Sequence, residues 1–493
     1  MKTLLLVLAG TGLLMLAVLA NRVPTVFTDT DDYYSQGAEL WQKIGIDRLH
    51  LTEAEPDLRT PEEKVQARDD EQMARTQMAA RSTSYSIFLY GLESAGTLWL
   101  VTAAQAAAAA WLLRLTLRSA APAASGWAYL ALMAGLAAGS TLPFFAGFAM
   151  PDIFAGVALL GCALLLLDWH ALSRAERAGV LVILWFALVV HTSHELLAIT
   201  LLPVGAVLLW WLGVPRRAAA IRLVVIAATV LAAIGWNTSY GMIVEAETGE
   251  RLRHQPFLMA RTLADGPGRR YLRQACAAGE TYALCAFAKL PLDDSEDILW
   301  SDSPTTGVFL QSDWATRVQL ELDEPRFVLG VLAHEPWGQF RASFANFAKQ
   351  LTLFRLDDPV KDPHYYMTDD YWAHTYLPDL IMSVAHCGRK GNACPSRMTP
   401  ALSTWWHGSV VIAALLVLGG TFATRRLPRP VIALALLVLA GVVLNAAITG
   451  VLSGPFARYQ SRLIWLVPAL AGVVVAASRR LPATVVGRSP EIA

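Results

Sequence analysis

Three carboxylates, Asp29, Asp31 and Asp32, stand within the stretch VFTDTDDYY, a few residues beyond the apolar run that opens the chain. Asp caps turns and helix starts. It also takes a proton from a nucleophile, or ligates an oxygen-preferring cation such as magnesium or manganese. Three more short stretches carry reactive groups between apolar runs: FAMPDIFAG with Asp152, VVHTSHELLAI with His191, His194 and Glu195, and SGPFARYQSRLIW with Arg458, Tyr459, Gln460 and Arg462. Asp152 follows a proline, so it reads as a helix start or as a second acid of a site. His191 and His194 are spaced to share one helical face. They read as satisfied interface histidines or as metal ligands. Arg458 and Arg462 anchor a helix in headgroups on one reading. On the other, two planar forks four residues apart suit a phosphate or diphosphate.

The elements that must position these groups are membrane helices. Of the 493 residues, 55% are hydrophobic and 16% charged, and the mean hydropathy is +0.42. Soluble domains carry roughly 25% charged residues. The fold class expected is an all-α polytopic membrane protein. About ten runs approach the length needed to cross a bilayer core of roughly 30 Å: 3–20, 94–115, 126–148, 153–168, 178–192, 196–213, 219–238, 407–424, 430–450 and 463–478. The fourth and fifth are short. The first also reads as a signal peptide, with Lys2 ahead of the apolar stretch and small residues near Ala20. Lys plus Arg equals Asp plus Glu at 40 each, and no basic tail or nucleic-acid motif is present, so nucleic acid is not an expected partner.

Alternate short loops are basic: Arg114 and Arg118; Arg174 and Arg177; Arg216, Arg217 and Arg222; Arg425, Arg426 and Arg429; Arg479, Arg480 and Arg488. They hold few acids, Asp168, Glu176 and Glu491. The positive-inside rule puts these loops and both termini in the cytoplasm. Segments 21–93 and 239–405 then lie outside, and Asp29, Asp31, Asp32, Asp152, His191, His194, Glu195, Arg458 and Arg462 gather near one outer plane. The location expected is a bacterial-type inner (plasma) membrane, with the large loop periplasmic or extracellular.

Three regions follow: 1–238 with the first outer loop, an extracytoplasmic domain over 239–405 between the seventh and eighth helices, and 406–493. The inserted domain reads as mostly helical, because DEPRFVLGVLAHEPWGQFRASFANFAKQLTLFRL repeats apolar residues at helical spacing. In the first loop, Thr60-Pro-Glu-Glu reads as a helix start, and SYSIFLYGLE as a helix lying at the membrane interface. Cys162 is intramembrane. Cys276, Cys285, Cys387 and Cys394 fall in the outer segment, where local closure into Cys276–Cys285 and Cys387–Cys394 is the simplest of three connectivities. Zinc is the alternative, without the tight Cys-x2-Cys spacing.

At these residues the chain resembles the GT-C superfamily of membrane glycosyltransferases, which use polyprenyl-phosphate-linked sugars. The carriers are VFTDTDDYY after the first span, ARSTSYSIFLYGL before the second, MPDIFAG after the third and ARYQSRLIWLVPAL before the last. The resemblance implies catalytic carboxylates among Asp29, Asp32 and Asp152, and a donor-phosphate site at Arg458 and Arg462, with Tyr459 beside them. It implies metal ligation, where a magnesium or manganese ion is used, by Asp29 and Asp152; His191 and His194 join them as candidate ligands on their own spacing. The partners implied are a polyprenyl-phosphate sugar donor and membrane lipid, with the acceptor unspecified. Many relatives place their soluble domain after the last span, whereas this insertion lies between the seventh and eighth.

The chemistry follows without the family. A carboxylate near the sugar carbon accepts the acceptor's proton, and guanidiniums neutralise the departing lipid phosphate. A polyprenyl tail lies in the bilayer, so its phosphate lies at the interface. Asp29, nearest the end of the first span, is the preferred base over Asp32. Asp31 and Asp32 are expected to cap the helix that follows. Three alternatives share the composition: a lipid-linked polysaccharide ligase or polymerase, a transporter, and a non-catalytic envelope assembly factor. Transporters place polar groups at the midplane on broken helices, whereas most spans here are free of charge.

Overall fold

The computed structural model describes residues 2–21, 24–43, 81–95, 97–249, 251–356, 400–425 and 427–478. Cys387, Cys394 and the Thr60 helix start lie outside them. Among the described residues the regular structure is helical, with one isolated parallel bridge between Thr25 and Phe148 beside it. In chain order the N-terminal part holds α1 (Lys2–Leu14), α2 (Leu16–Asn21), α3 (Thr28–Lys43), α4 (Thr83–Ala95), α5 (Leu98–Ala120), α6 (Gly126–Gly139), α7 (Leu142–Ala146), α8 (Phe154–Leu167), α9 (Arg174–Val189), α10 (Thr192–Trp211) and α11 (Arg216–Thr248). The insertion holds α12 (Phe257–Ala264), α13 (Pro267–Ala277), α14 (Ser295–Trp300), α15 (Trp314–His334) and α16 (Pro336–Thr352). The C-terminal part holds α17 (Pro400–Thr424), α18 (Arg429–Leu452), α19 (Ala457–Ile464) and α20 (Leu466–Ser478).

Seven of these stretches are long and apolar enough to cross a membrane: Lys2–Asn21, Leu98–Ala120, Thr192–Trp211, Arg216–Ala246, Leu402–Thr424, Arg429–Leu452 and Ala457–Ser478. Their outward faces are greasy, with Leu231 68% and Leu416 71% exposed. That surface is stable only against lipid, where every backbone group must be satisfied within the helix. The runs expected at 126–148 and 153–168 are shorter helices, Gly126–Gly139 and Pro151–Leu167. Ser140 and Thr141 interrupt the first between α6 and α7. In the second, every residue of α8 is buried. It is a central helix wrapped by its neighbours and presents no face to lipid. The run expected at 178–192 is α9, whose start is fixed by a capping box between Ser173 and Glu176.

Two ends of the bundle are polar. At one, Arg222 Nη1 donates to the Leu166 carbonyl at 2.8 Å, and Arg118 Nη2 donates to Glu176 at 2.9 Å. The other holds the acids and arginines described below.

Close approach of α3 and α4 at that second end depends on Gly37. A Cβ there would run into the Ser86 carbonyl oxygen. Beside it Ser86 Oγ donates to Gln36 Oε1 at 2.7 Å. Gly37→Ala is expected to push the helices apart, at a cost of roughly 1–3 kcal/mol. Faster hydrogen exchange across Thr83–Ala95 than in the wild type would show it.

The insertion has its own apolar core, including Leu263, Leu272, Leu320, Phe327 and Val331. It is closed by the disulfide Cys276–Cys285. Cys162 is free and buried. Replacing both disulfide cysteines by Ser should lower the stability of this unit by about 2 kcal/mol, through the released entropy of the unfolded loop. Earlier proteolysis within residues 257–331 of the full chain would report it.

Candidate functional site

The chain after α2 is pinned before it reaches the acids. Thr25 N donates to the Gly147 carbonyl at 2.9 Å and Ala149 N to the Thr25 carbonyl at 2.8 Å. Thr30 Oγ1 donates to the Ala149 carbonyl at 3.2 Å. The start of α3 is thereby fixed beside Met150, Pro151 and Asp152. The acids lie within the first turns of α3, where the helix dipole favours negative charge.

Asp29 and Asp32 are three residues apart on one helical face, and Arg81 bridges them. Its Nη2 donates to Asp29 Oδ1 at 2.8 Å and its Nε to Asp32 Oδ2 at 2.9 Å. Asp32 therefore meets a guanidinium, where capping of its own helix was expected. Arg81 precedes α4, and its neighbour Ser82 ties that corner down by donating to the Val189 carbonyl at 2.9 Å. Burial works against the charge on Arg81, but Asp29 and Asp32 outweigh it and the pKa is raised. Desolvation raises the pKa of Asp32, with Arg81 opposing. Its side chain is still 44% exposed, so water screens much of that effect.

Asp152 sits in the single turn Pro151–Ile153 and is 3% exposed. The N-cap of α8 is Ile153, so Asp152 has a different task from capping that helix. Its Oδ1 lies 3.8 Å from Arg458 Nε and 3.5 Å from Arg462 Nη1. Arg458 Nη2 in turn lies 3.9 Å from Asp29 Oδ2. A continuous ionic chain runs Asp32, Arg81, Asp29, Arg458, Asp152, Arg462, drawn from four separate segments.

Helix α19 holds both arginines one turn apart. Arg458 lies over the Phe27 ring at 4.5 Å, and Arg462 over the Tyr459 ring at 5.2 Å. Tyr459 is thus a platform for the guanidiniums. Arg462 Nη2 donates to Ser193 Oγ at 3.0 Å. Asn445 of α18 braces the turn, donating to the Tyr459 carbonyl at 2.8 Å and to Gln460 Oε1 at 3.1 Å. The Arg462 side chain is 1% exposed, yet its Nε and Nη1 make no hydrogen bond. Buried donors without a partner are uncommon. Nη1 has the long 3.5 Å ion-pair contact to Asp152 in place of a hydrogen bond, and Nε makes no hydrogen bond, which leaves this cation capacity for an anion's oxygens.

The two histidines stack with ring centres 5.0 Å apart. His194 Nδ1 pairs with the Ala187 carbonyl at 2.7 Å, and His191 Nδ1 accepts from Ser193 N at 3.2 Å. His191 is thus joined through Ser193 to Arg462. Glu195 turns to α11, accepting from Asn237 Nδ2 at 3.0 Å. Among the described residues no group of three or more His, Cys, Asp or Glu is placed to hold a metal ion. Arg458 lies between Asp29 and Asp152, 3.9 Å from one and 3.8 Å from the other. The set Asp29, Asp152, His191 and His194 does not converge on one point.

Sequence reasoning gave no role to Arg81, Ser193 or Asn445. Arg81 was visible as an arginine directly before an aromatic helix, but its partners lie about fifty residues earlier. Asn445 was the only strongly polar residue in an otherwise apolar span, and that was a usable signal. No family model matches the chain, and no curated protein or solved structure matches it.

Proposed function

We propose that this chain is a membrane glycosyltransferase of the GT-C kind, moving a sugar from a polyprenyl-phosphate donor to an acceptor outside the cytoplasm. One observation carries the reading: Asp29, Asp152, Arg458 and Arg462 converge in one ion-paired site at one end of the helical bundle. In this reading the seven long helices and the three shorter ones make ten crossings. Both termini are cytoplasmic, and the site and the inserted domain are outside.

The donor's phosphate oxygens take the donors of Arg462 that make no hydrogen bond and the fork of Arg458. Asp29 receives the proton of the acceptor hydroxyl as that oxygen bonds to the anomeric carbon. The bond from that carbon to the phosphate oxygen breaks, and its electron pair leaves on the lipid phosphate, where the two guanidiniums offset the charge. Arg81 holds Asp29 Oδ1, so Oδ2 is the oxygen that faces the reacting groups. The carboxylates face guanidiniums and not one another, and none of these steps is routed through a metal.

The test is binding of a polyprenyl monophosphate to the purified full chain in lipid nanodiscs. Arg458→Lys keeps the charge and loses the planar fork, and weaker binding is expected. Unchanged affinity in both Arg458→Ala and Arg462→Ala would make these residues headgroup anchors and remove the reading.

A further inference from the structure

Helix α16 presents an aromatic stripe outward. Trp337 is 78% exposed, Phe340 60% and Phe344 59%. With Phe347 they recur at spacings of three, four and three, so they form one face. The opposite face is polar and occupied. Gln339 and Asn346 each donate to Asp265 at 2.7 Å, and Gln350 donates to the Phe456 carbonyl at 2.9 Å. The helix carries Arg341 and Lys349 and no acid.

Three features say what covers the stripe. Helix α16 packs on α18, a candidate membrane span, near its end: a Cβ on Gly450 would come within 2.9 Å of Asn346 and of Gln350. The span's outward side there is apolar, with Val443 43% and Leu452 40% exposed. The chain just after α16 meets the start of another span, since Phe354 lies 3.8 Å from a Cβ built on Gly408. Exposed Trp405 and Trp406 sit at that same start, 78% and 49% exposed, as aromatic residues do at a membrane–water interface.

We propose that α16 lies in the interface of the bilayer and seats the inserted domain on lipid, its aromatic stripe at the acyl boundary and Arg341 and Lys349 toward headgroup phosphates. An amphipathic helix with cations on its polar side and aromatics on the other has this preference. The seat is tied to the site, because Gln350 holds the carbonyl of Phe456, directly before the helix that carries Arg458 and Arg462. It fixes the depth of those arginines relative to lipid phosphate. The proposal does not depend on sugar transfer.

The experiment uses the full chain in nanodiscs of phosphatidylcholine and phosphatidylglycerol. The photoreactive residue p-benzoylphenylalanine replaces Phe340 or Phe344, with the exposed Arg326 as a control position on the inserted domain. After irradiation, mass spectrometry reads the adducts of protein that stays monodisperse with Cys276–Cys285 intact. Phospholipid adducts several-fold above the Arg326 control, at either aromatic position, are the expected result. Adducts at the control level, or crosslinks to a second copy of the chain or to another protein, would overturn the proposal.

Discussion

Asp29→Asn is expected to lower turnover by roughly a hundredfold or more, the usual scale for a lost general base, while the protein stays folded. The amide keeps the size of the carboxylate and can still accept from Arg81 through its oxygen. It no longer takes a proton at neutral pH. Helix α3 keeps its anchors, because Thr30 and Thr25 bond the 147–149 backbone independently of Asp29. Asp32→Asn should do much less, since Asp32 lies on the far side of Arg81 from Arg458. Rates of donor consumption, with unchanged melting curves, check both. Equal losses in the two variants would indicate that Arg81 and its charge, not a base at Asp29, control the rate.

Arg462→Met is expected to cost both stability and donor binding. It leaves Asp152 buried with only the 3.8 Å contact to Arg458. Removing one partner of a buried ion pair costs about 3–5 kcal/mol. The double change Arg462→Met with Asp152→Asn removes the stranded charge, so most of the stability should return. Donor binding should not return, because the phosphate's guanidinium is still missing. The two variants compared by thermal melting and by polyprenyl-phosphate affinity separate a structural ion pair from a binding group. Recovery of affinity in the double variant would assign Arg462 a purely structural task.

The helical membrane class was legible because an apolar run of about twenty residues has few other stable uses. Long runs such as 430–450 and 219–238 stand as expected. What hydropathy could not separate is a helix facing lipid from one enclosed by protein. Helix α8 is as apolar as any span, yet it is short and fully buried, since a central position asks for the same residues. The insertion's long helical pattern is two helices, α15 and α16, parted at Glu335 and Pro336. A proline at N1 starts the second.

At the site, the types of residue were legible and their pairing was not. Asp29, Asp152, Arg458 and Arg462 stood out as charges beside apolar helix. Their order along the ionic chain depends on how α3, α8 and α19 meet, and no local spacing encodes that. Asp32 looked like a cap because capping is a local event. Its actual partner, Arg81, is a long-range contact. The spacing of the histidines left two readings, satisfied interface residues or ligands; each Nδ1 has a backbone partner, the Ala187 carbonyl for His194 and the Ser193 amide for His191, while His194 Nε2 is buried without a hydrogen bond.

The central claim is that this ionic chain handles a lipid-phosphate-linked sugar. The most direct measurement is release of polyprenyl phosphate from a sugar-labelled polyprenyl-phosphate donor by the purified full chain, with membrane extract supplying acceptors. The account predicts donor-dependent release with one labelled sugar moved per phosphate, lost in Asp29→Asn. Equal release by the wild type and Asp29→Asn, or no release by a wild type whose helices and Cys276–Cys285 disulfide are intact, would contradict it.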